Sequence, residues 1–264
     1  MINEFGVLND LNDKNVTVLY TPGLDSFLTS ELLQMANVKH DKVYFDINSR
    51  YTDHEIIKMD SNHVRYDLIS NLLNLQKYEH PDAFIPNRNL LLISLAQLKY
   101  NSDVILMSGF KDDRVSDNNE IFCKQLSDVL STTAKKKIIV TSLFWEFEKS
   151  EILEKYLNFK ECDVKYVNNM TYSCYDPVYN YDVLQSYKYL DNDKFIKTGQ
   201  IKVEGCRKCK ACFRRLCAFA YNGLCVPFND IEMVNKYYNA TDLDNCPNRI
   251  KSIKIYKKFH DECL

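Results

Sequence analysis

Val16–Leu33 reads VTVLYTPGLDSFLTSELL. Val16, Val18 and Leu19 make a short apolar, β-favouring run. The pattern breaks at Pro22-Gly23 and resumes with Phe27, Leu28, Leu32 and Leu33 at helical spacing. Strand, tight turn and helix therefore follow one another near the start of the chain. The turn, Thr21-Pro22-Gly23-Leu24-Asp25-Ser26, lies where the carboxyl end of a strand feeds a helix N-terminus. Such a turn offers backbone N–H groups and a positive dipole end to an anion, typically a phosphate. The alternative is an ordinary βα turn with Asp25 or Ser26 as helix cap.

The alternation continues outward. Lys42–Ile47 (KVYFDI) reads as a second strand, and Ile56, Ile57 and Met59 mark another helix; residues 60–80 are polar and ambiguous. Asn87-Arg88-Asn89 precedes a strongly apolar helix, Leu90–Tyr100, and Val104–Ser108 reads as a strand. After the polar loop FKDDRVSDNNEIF come a helix at Ile121–Leu130, a strand at Lys136–Thr141, and SLFWEFEKSEILEKYLNF, which leads into a helix. This order predicts an α/β fold with a doubly wound parallel sheet, its ligand over the carboxyl ends of the strands near the switch point. Arg88 and Asn89 can hold an anion there or merely cap their helix. Asp112, Asp113, Asp117 and Glu120 can hold Mg²⁺ or a base edge, or stand as solvated loop charges. Lys149 opens a helix, where a cation is mildly unfavourable for the dipole, and that gives a ligand role weight against a surface lysine.

At 264 residues, 45% hydrophobic and 27% charged, the chain suits one sizeable α/β domain, or a domain with an appendage. We divide it into a nucleotide-binding domain, 1–170, and a C-terminal segment, 171–264, packed on it and carrying an insertion at 175–205. Val164–Val167 reads as a final strand, Asp230–Tyr238 as partly helical, and Ile250–Tyr256 as a possible strand. A net charge of −2 gives no global basic excess, so direct nucleic-acid binding is not expected. No apolar run approaches a membrane span, and MINEFGVLNDLNDKN does not read as a signal peptide. The expectation is a cytoplasmic protein in a reducing compartment, where clustered cysteines suggest metal rather than disulfides.

Of ten cysteines, Cys206, Cys209 and Cys212 fall within GCRKCKACFRRLCAF, with two residues between successive members. Zn²⁺ prefers four tetrahedral ligands. Two Cys-x-x-Cys spacings that share a middle Cys supply three. The fourth is Cys174 by preference, with Cys217 and Cys225 as runners-up. Four thiolates with no open position favour a structural site; a Cys₃ iron–sulfur site is the alternative.

The turn Thr21–Ser26 resembles the pyrophosphate loop of the PP-loop ATPases, usually Ser-Gly-Gly-x-Asp-Ser after a buried strand. Gly23, Leu24, Asp25 and Ser26 match it, Thr21 stands for Ser, and Pro22 departs from it and removes one N–H. Four separated segments in order make the likeness more specific: PGLDS, FIPNRNLLLISLA, SLFWEFEKSEI, and TYSCY followed by CRKCKACFRRLCAF. Together they resemble the 7-cyano-7-deazaguanine synthases, the QueC family of PP-loop enzymes, over roughly residues 15 to 220. The resemblance implies an adenine nucleotide alpha hydrolase-like, Rossmann-like fold. It also implies an ATP-dependent, AMP-forming conversion of 7-carboxy-7-deazaguanine and ammonia to the nitrile, through an adenylated carboxylate and an amide.

By the same resemblance, Tyr20, Thr21, Pro22, Gly23, Leu24, Asp25, Ser26 and Asp46 bind ATP with Mg²⁺, and Asp25, Ser26, Arg88 and Lys149 act in catalysis. Arg88, Asn89, Asp117 and Arg215 bind substrate, Cys174, Cys206, Cys209 and Cys212 hold zinc, and the chain pairs as a homodimer. This chain departs from the family pattern at Pro22, at Asn87 (for Gly), at Ser142 (for Pro), at Ser49-Arg50-Tyr51 (for Gln-Arg-His) and in the 111–120 loop. Two further readings therefore stand beside the synthase. One is a repurposed ligase that stops at the amide or adenylates another carboxylate; the other is a non-catalytic nucleotide-binding scaffold.

Overall fold

The structure, a computed structural model, describes residues 11–81, 83–113, 116–177, 187–190, 194–197, 205–225, 232, 235 and 246–263. Five parallel strands run in the order β3-β2-β1-β4-β5: β1 (Val16–Leu19), β2 (His40–Phe45), β3 (Asp67–Ile69), β4 (Val104–Leu106) and β5 (Ile139–Thr141). In register, Val16 faces His40 on one side and Val104 on the other, and Val104 faces Ile139. The central strand has neighbours on both edges and is buried on both faces, so Val16, Thr17 and Val18 are all buried, Thr17 with its hydroxyl 2.7 Å from Ser102 Oγ.

Alternation along the strands assigns the helices to two faces. Val16, Val18, Tyr44, Val104 and Leu106 pack into one core with α1 (Leu24–Met35), Met59 of α2 (Thr52–Ser61) and Ile152, Leu153 and Tyr156 of α5 (Lys149–Lys160). On the opposite face, Val43 and Phe45 pack with Ala96 of α3 (Arg88–Tyr100). There too, Ile105 and Val140 pack with Ile93 of α3 and with Cys123, Leu126 and Leu130 of α4 (Glu120–Ala134). Helices α1 and α2 cover one face, α3 and α4 the other. The chain reverses between β1 and β4, the doubly wound arrangement whose switch point opens a crevice.

Three expectations need correction, and one open stretch is resolved. Val164–Val167 is not a strand but part of α6 (Val164–Met170). Val and Tyr favour strands, but Asp163 caps the segment, accepting from Lys165 N at 2.8 Å, and Val164 and Val167 lie one turn apart. Ile250–Tyr256 belongs to α8 (Pro247–Cys263). There Ile253 and Tyr256, three residues apart, are fully buried on one face. Within 175–205, expected as a loop, β6 (Tyr187–Leu190) and β7 (Lys194–Lys197) form an antiparallel pair. In the ambiguous stretch 60–80, Asp67–Ile69 supplies the edge strand β3. The rest of 178–204, and most of 230–238, lie outside the described residues.

The C-terminal elements join the main core. Ala218 and Phe219 of α7 (Lys210–Tyr221) pack in the same cluster as Val18 and Leu28, while Phe213, Leu216, Ile253 and Tyr256 pack α7 and α8 together beside the cysteines.

Candidate active site and metal centre

A cleft of about 310 Å³ lies over the carboxyl ends of the strands. Its walls come from the loop after β1, the ends of β2 and β4, the starts of α2, α3 and α5, the segment Tyr172–Tyr175, and α7. The loop after β1 is ordered by its own side chains. Ser26 Oγ donates to the Thr21 carbonyl at 2.6 Å, and Gly23 N donates to Thr21 Oγ1 at 3.2 Å. Gly23 is the N-cap of α1, which has no side-chain cap. The first helical N–H groups have no intrahelical acceptor, so they remain as anion donors. A Cβ at Gly23 would lie 3.0 Å from Thr21 Oγ1, so the tight loop favours glycine.

Lys149 reaches into this mouth from the first position of α5. Its Nζ lies 2.9 Å from Asp25 Oδ1 and 2.9 Å from Oδ2, and 5.4 Å from the Phe110 ring centroid. Burial pulls the Lys149 ammonium down, but Asp25, Asp113 and Asp112 outweigh it and hold its pKa above the ordinary lysine value. Burial pushes the Asp25 carboxyl up to about 6, against the attraction of Lys149. The ion pair thus answers the dipole penalty of a cation at a helix N-terminus.

Arg88 and Asn89 enter from the start of α3. Asn87 holds the turn before them with φ 60°, a left-handed conformation that glycine adopts freely and asparagine tolerates. This explains Asn in the family's Gly position. Arg88 Nη1 donates to Tyr51 OH at 3.3 Å, and Asn89 Nδ2 donates to the Asp117 carbonyl at 3.0 Å. Tyr51 and Tyr175 pack against each other on the cleft wall, ring centroids 5.7 Å apart and tilted by 44°. Glu55 also lines it and accepts from Tyr44 OH at 2.8 Å. Burial pushes the Glu55 carboxyl up to about 7, opposed by Tyr44 and Arg88.

The cleft brings together Tyr20, Thr21, Gly23, Leu24, Asp25, Ser26, Arg88, Asn89, Lys149 and Arg215. Three expected residues are not on its walls. Pro22 is buried behind the loop, its carbonyl accepting from Tyr172 N at 2.7 Å. Asp46 closes its own turn, Oδ1 accepting from Asn48 N at 2.8 Å. Asp117 contributes its carbonyl to Asn89.

Arg215 is anchored, its Nη2 donating to the carbonyls of Asn168 at 2.7 Å and Thr171 at 3.0 Å. Its neighbour Arg214 lines the same cleft, 3.6 Å from Asp113 Oδ1. Arg214, Glu55, Tyr172 and Tyr175 are additional to the expected set. The doubled Arg in CFRRLC and the Tyr on each side of Cys174 are the sequence signals that could have marked three of them.

Cys174, Cys206, Cys209 and Cys212 bring their four Sγ atoms within 4.8 Å of one another. Thiolates about 2.3 Å from a tetrahedral Zn²⁺ stand about 3.8 Å apart, and Cys209 Sγ lies 4.0 Å from Cys174 Sγ. Backbone N–H groups point at the sulfurs: Cys206 N to Cys174 Sγ at 3.2 Å and Tyr175 N to Cys209 Sγ at 3.5 Å. Such donors stabilise thiolates and are usual around bound metal. The donor set, its spread and its surroundings fit zinc with no open position. Cys217, one of the weighed alternatives, is not part of the group.

A family model described as queuosine biosynthesis protein QueC matches residues 25–223. No curated protein matches the chain. Among the described residues, no helix is long and apolar enough to cross a membrane.

Proposed function

The chain belongs to the QueC family, and from that premise we propose that it condenses a 7-deazaguanine carboxylate with ammonia at the expense of ATP, giving 7-cyano-7-deazaguanine. The observation that carries this reading is the Lys149–Asp25 pair at the mouth of the loop after β1, in one cleft with Arg88 and Arg214. A pyrophosphate leaving group needs cations and N–H dipoles where its charge develops. Here the start of α1, Lys149 and Arg214 converge on one spot. Mg²⁺ entering with the nucleotide would shield the same charge, with Asp25, Asp112 and Asp113 as the nearby carboxylates.

The substrate carboxylate attacks the α-phosphorus of ATP, and pyrophosphate leaves. Arg88 holds the carboxylate, and Asn89 holds the loop that follows β4 through Asp117. Tyr51 and Tyr175, packed ring to ring, present one aromatic wall to the planar base and help keep water from the mixed anhydride. Ammonia then displaces AMP to leave the amide. A second ATP adenylates the amide oxygen with release of pyrophosphate, and loss of AMP, which carries that oxygen, together with the protons on nitrogen yields the nitrile. Asp25 keeps Lys149 charged and aimed at the phosphates. Zinc at the four cysteines would fix Tyr172–Tyr175 against the loop and α7, a structural role.

A ligase that stops at the amide or takes another carboxylate is the second reading. It is favoured by Arg50, which is held by Glu79 at 2.9 Å and by the Pro81 carbonyl at 2.9 Å, while Ser49 and Tyr51 alone of that motif line the cleft. The test is incubation of the zinc-loaded protein with ATP, Mg²⁺, ammonium and 7-carboxy-7-deazaguanine, read by mass spectrometry. Nitrile with AMP supports the synthase, and amide with AMP supports the second reading. A folded sample that forms no AMP overturns the synthase and the amide-forming ligase, and leaves a ligase for another carboxylate or a scaffold.

A further inference from the structure

The family match stops at residue 223, but contacts to the neighbours of the cleft residues Lys149 and Asp113 continue past it. The N-terminus of α8 closes on the residue before Lys149. Glu148 Oε1 accepts from Asn248 N at 3.1 Å, and Oε2 accepts from Arg249 N at 2.8 Å. The first N–H groups of a helix have no partner within it, and their dipole end favours a carboxylate. Glu148, only 3% exposed, supplies that carboxylate from the N-cap position of α5.

The Arg249 side chain turns to the other loop at the site. Its Nη1 donates to the Asp112 carbonyl at 2.7 Å and lies 3.9 Å from Asp112 Oδ2. Asp112 closes the ring, its Oδ1 accepting from Lys149 N at 3.3 Å. Asp112 thus holds the Lys149 N–H while the start of α8 holds the side chain of the residue before it, and both holds lead to α8.

We infer that α8 is a positioning element for Lys149, with Glu148 and Arg249 as the positioning residues that set where its ammonium meets the nucleotide phosphates. The inference rests on the proposed role of Lys149 in the site.

Apolar packing and polar contact have separate jobs here. Ile253 and Tyr256, buried against α7, attach the helix. The hydrogen bonds of Glu148 and Arg249 lie at its N-terminal end and reach the start of α5, which carries Lys149, and the loop that carries Asp112 and Asp113. Loss of the Arg249 side chain should leave α8 attached while its end, and Lys149 with it, shifts. A displacement of about 1 Å in such a group can lower turnover about 100-fold.

The experiment compares the full-length zinc-loaded protein with its Arg249→Ala, Arg249→Lys and Glu148→Gln variants. It measures AMP formation from ATP and the carboxylate, thermal unfolding, and hydrogen exchange of residues 111–113 and 148–152. The expected result for Arg249→Ala is a kcat lower by about tenfold or more, a KM for ATP nearly unchanged, little change in Tm and faster exchange in both segments. Arg249→Lys, which keeps a donor for the Asp112 carbonyl, should recover part of the loss. Unchanged kcat in Arg249→Ala, or a loss that follows Tm across all three variants, would overturn the positioning role while leaving the proposed chemistry intact. If the parent protein forms no AMP, that chemistry falls. Exchange then decides: equal rates in parent and Arg249→Ala overturn the coupling of α8 to Lys149, and faster rates in the variant support it.

Discussion

The backbone N–H of Tyr172 donates to the carbonyl of Pro22 at 2.7 Å. This one bond ties the segment that carries Cys174 to the loop after β1. It gives the proline of that loop a place: the residue is buried, its carbonyl is used, and its missing N–H is not on the cleft wall. The metal centre and the candidate phosphate site are thereby neighbours through three residues of chain, Tyr172-Ser173-Cys174.

Cys209→Ser should remove about one equivalent of bound zinc and lower stability by about 4 kcal/mol or more, the range associated with loss of a structural metal. Zinc analysis and thermal unfolding check this. Retained stoichiometric zinc would dissolve the ligand set of Cys174, Cys206, Cys209 and Cys212.

Asp25→Asn keeps the shape of the side chain but removes the charge that holds Lys149. AMP formation should fall by about 100-fold, with the fold unchanged by circular dichroism. Undiminished turnover would take the Asp25–Lys149 pair out of the mechanism.

The two adjacent arginines should separate in their effects. Arg215→Ala removes a guanidinium whose Nη2 donates to two backbone carbonyls and which stacks 4.6 Å from the Phe219 ring centroid. It should cost about 2–3 kcal/mol of stability, as loss of charge-assisted hydrogen bonds does. Arg214→Ala should leave stability nearly unchanged and weaken ATP turnover. Denaturant unfolding and AMP release measured on both variants distinguish the roles, and equal destabilisation by the two would contradict the assignment.

Glu55 makes a prediction in pH. Burial raises its carboxyl from 4.5 to about 7 in the folded protein. Between these values the folded state holds a proton that the unfolded state has released, so stability falls as pH rises through that window and is lowest above it. Glu55→Gln keeps an acceptor for Tyr44 and has no charge to desolvate. It should be more stable than the parent above pH 7 by at most about 3 kcal/mol, and no more stable near pH 4. Stability curves at the two pH values test this; parallel curves would show that Glu55 titrates normally.

Gly109 is a packing requirement. A Cβ there would fall 2.1 Å from the Trp145 ring and 2.8 Å from Asn118 Oδ1. Gly109→Ala should cost about 1–3 kcal/mol through overpacking. Because the residue sits in the loop after β4, turnover should fall with it. A variant as stable as the parent would show that Trp145 can move aside without cost.

Much of this protein was legible in its sequence because the signals were local. The strand–turn–helix at Val16–Leu33, the alternation through Lys160 and the Cys206-Cys209-Cys212 spacing each depend on neighbours a few residues apart. Backbone geometry converts those spacings directly into faces and ligand sets. Segments at the C-terminal end were misread for the complementary reason. IKSIKIY is compatible with either period until something buries Ile253 and Tyr256 together. Val164–Val167 reads as a strand in isolation, but the Asp163 cap decides for helix.

Only the tertiary structure decided what the chemistry-bearing residues face. Lys149 meets Asp25 across 124 residues of chain, and Glu148 meets the start of α8 across 100. Arg214 faces the cleft while Arg215 is anchored to backbone carbonyls, although the two adjoin in sequence. Periodicity assigns a side chain to a face of its own element. Which charge lies opposite is set by how sheet and helices pack, and hydrogen bonds and ion pairs form only at the distances that packing allows.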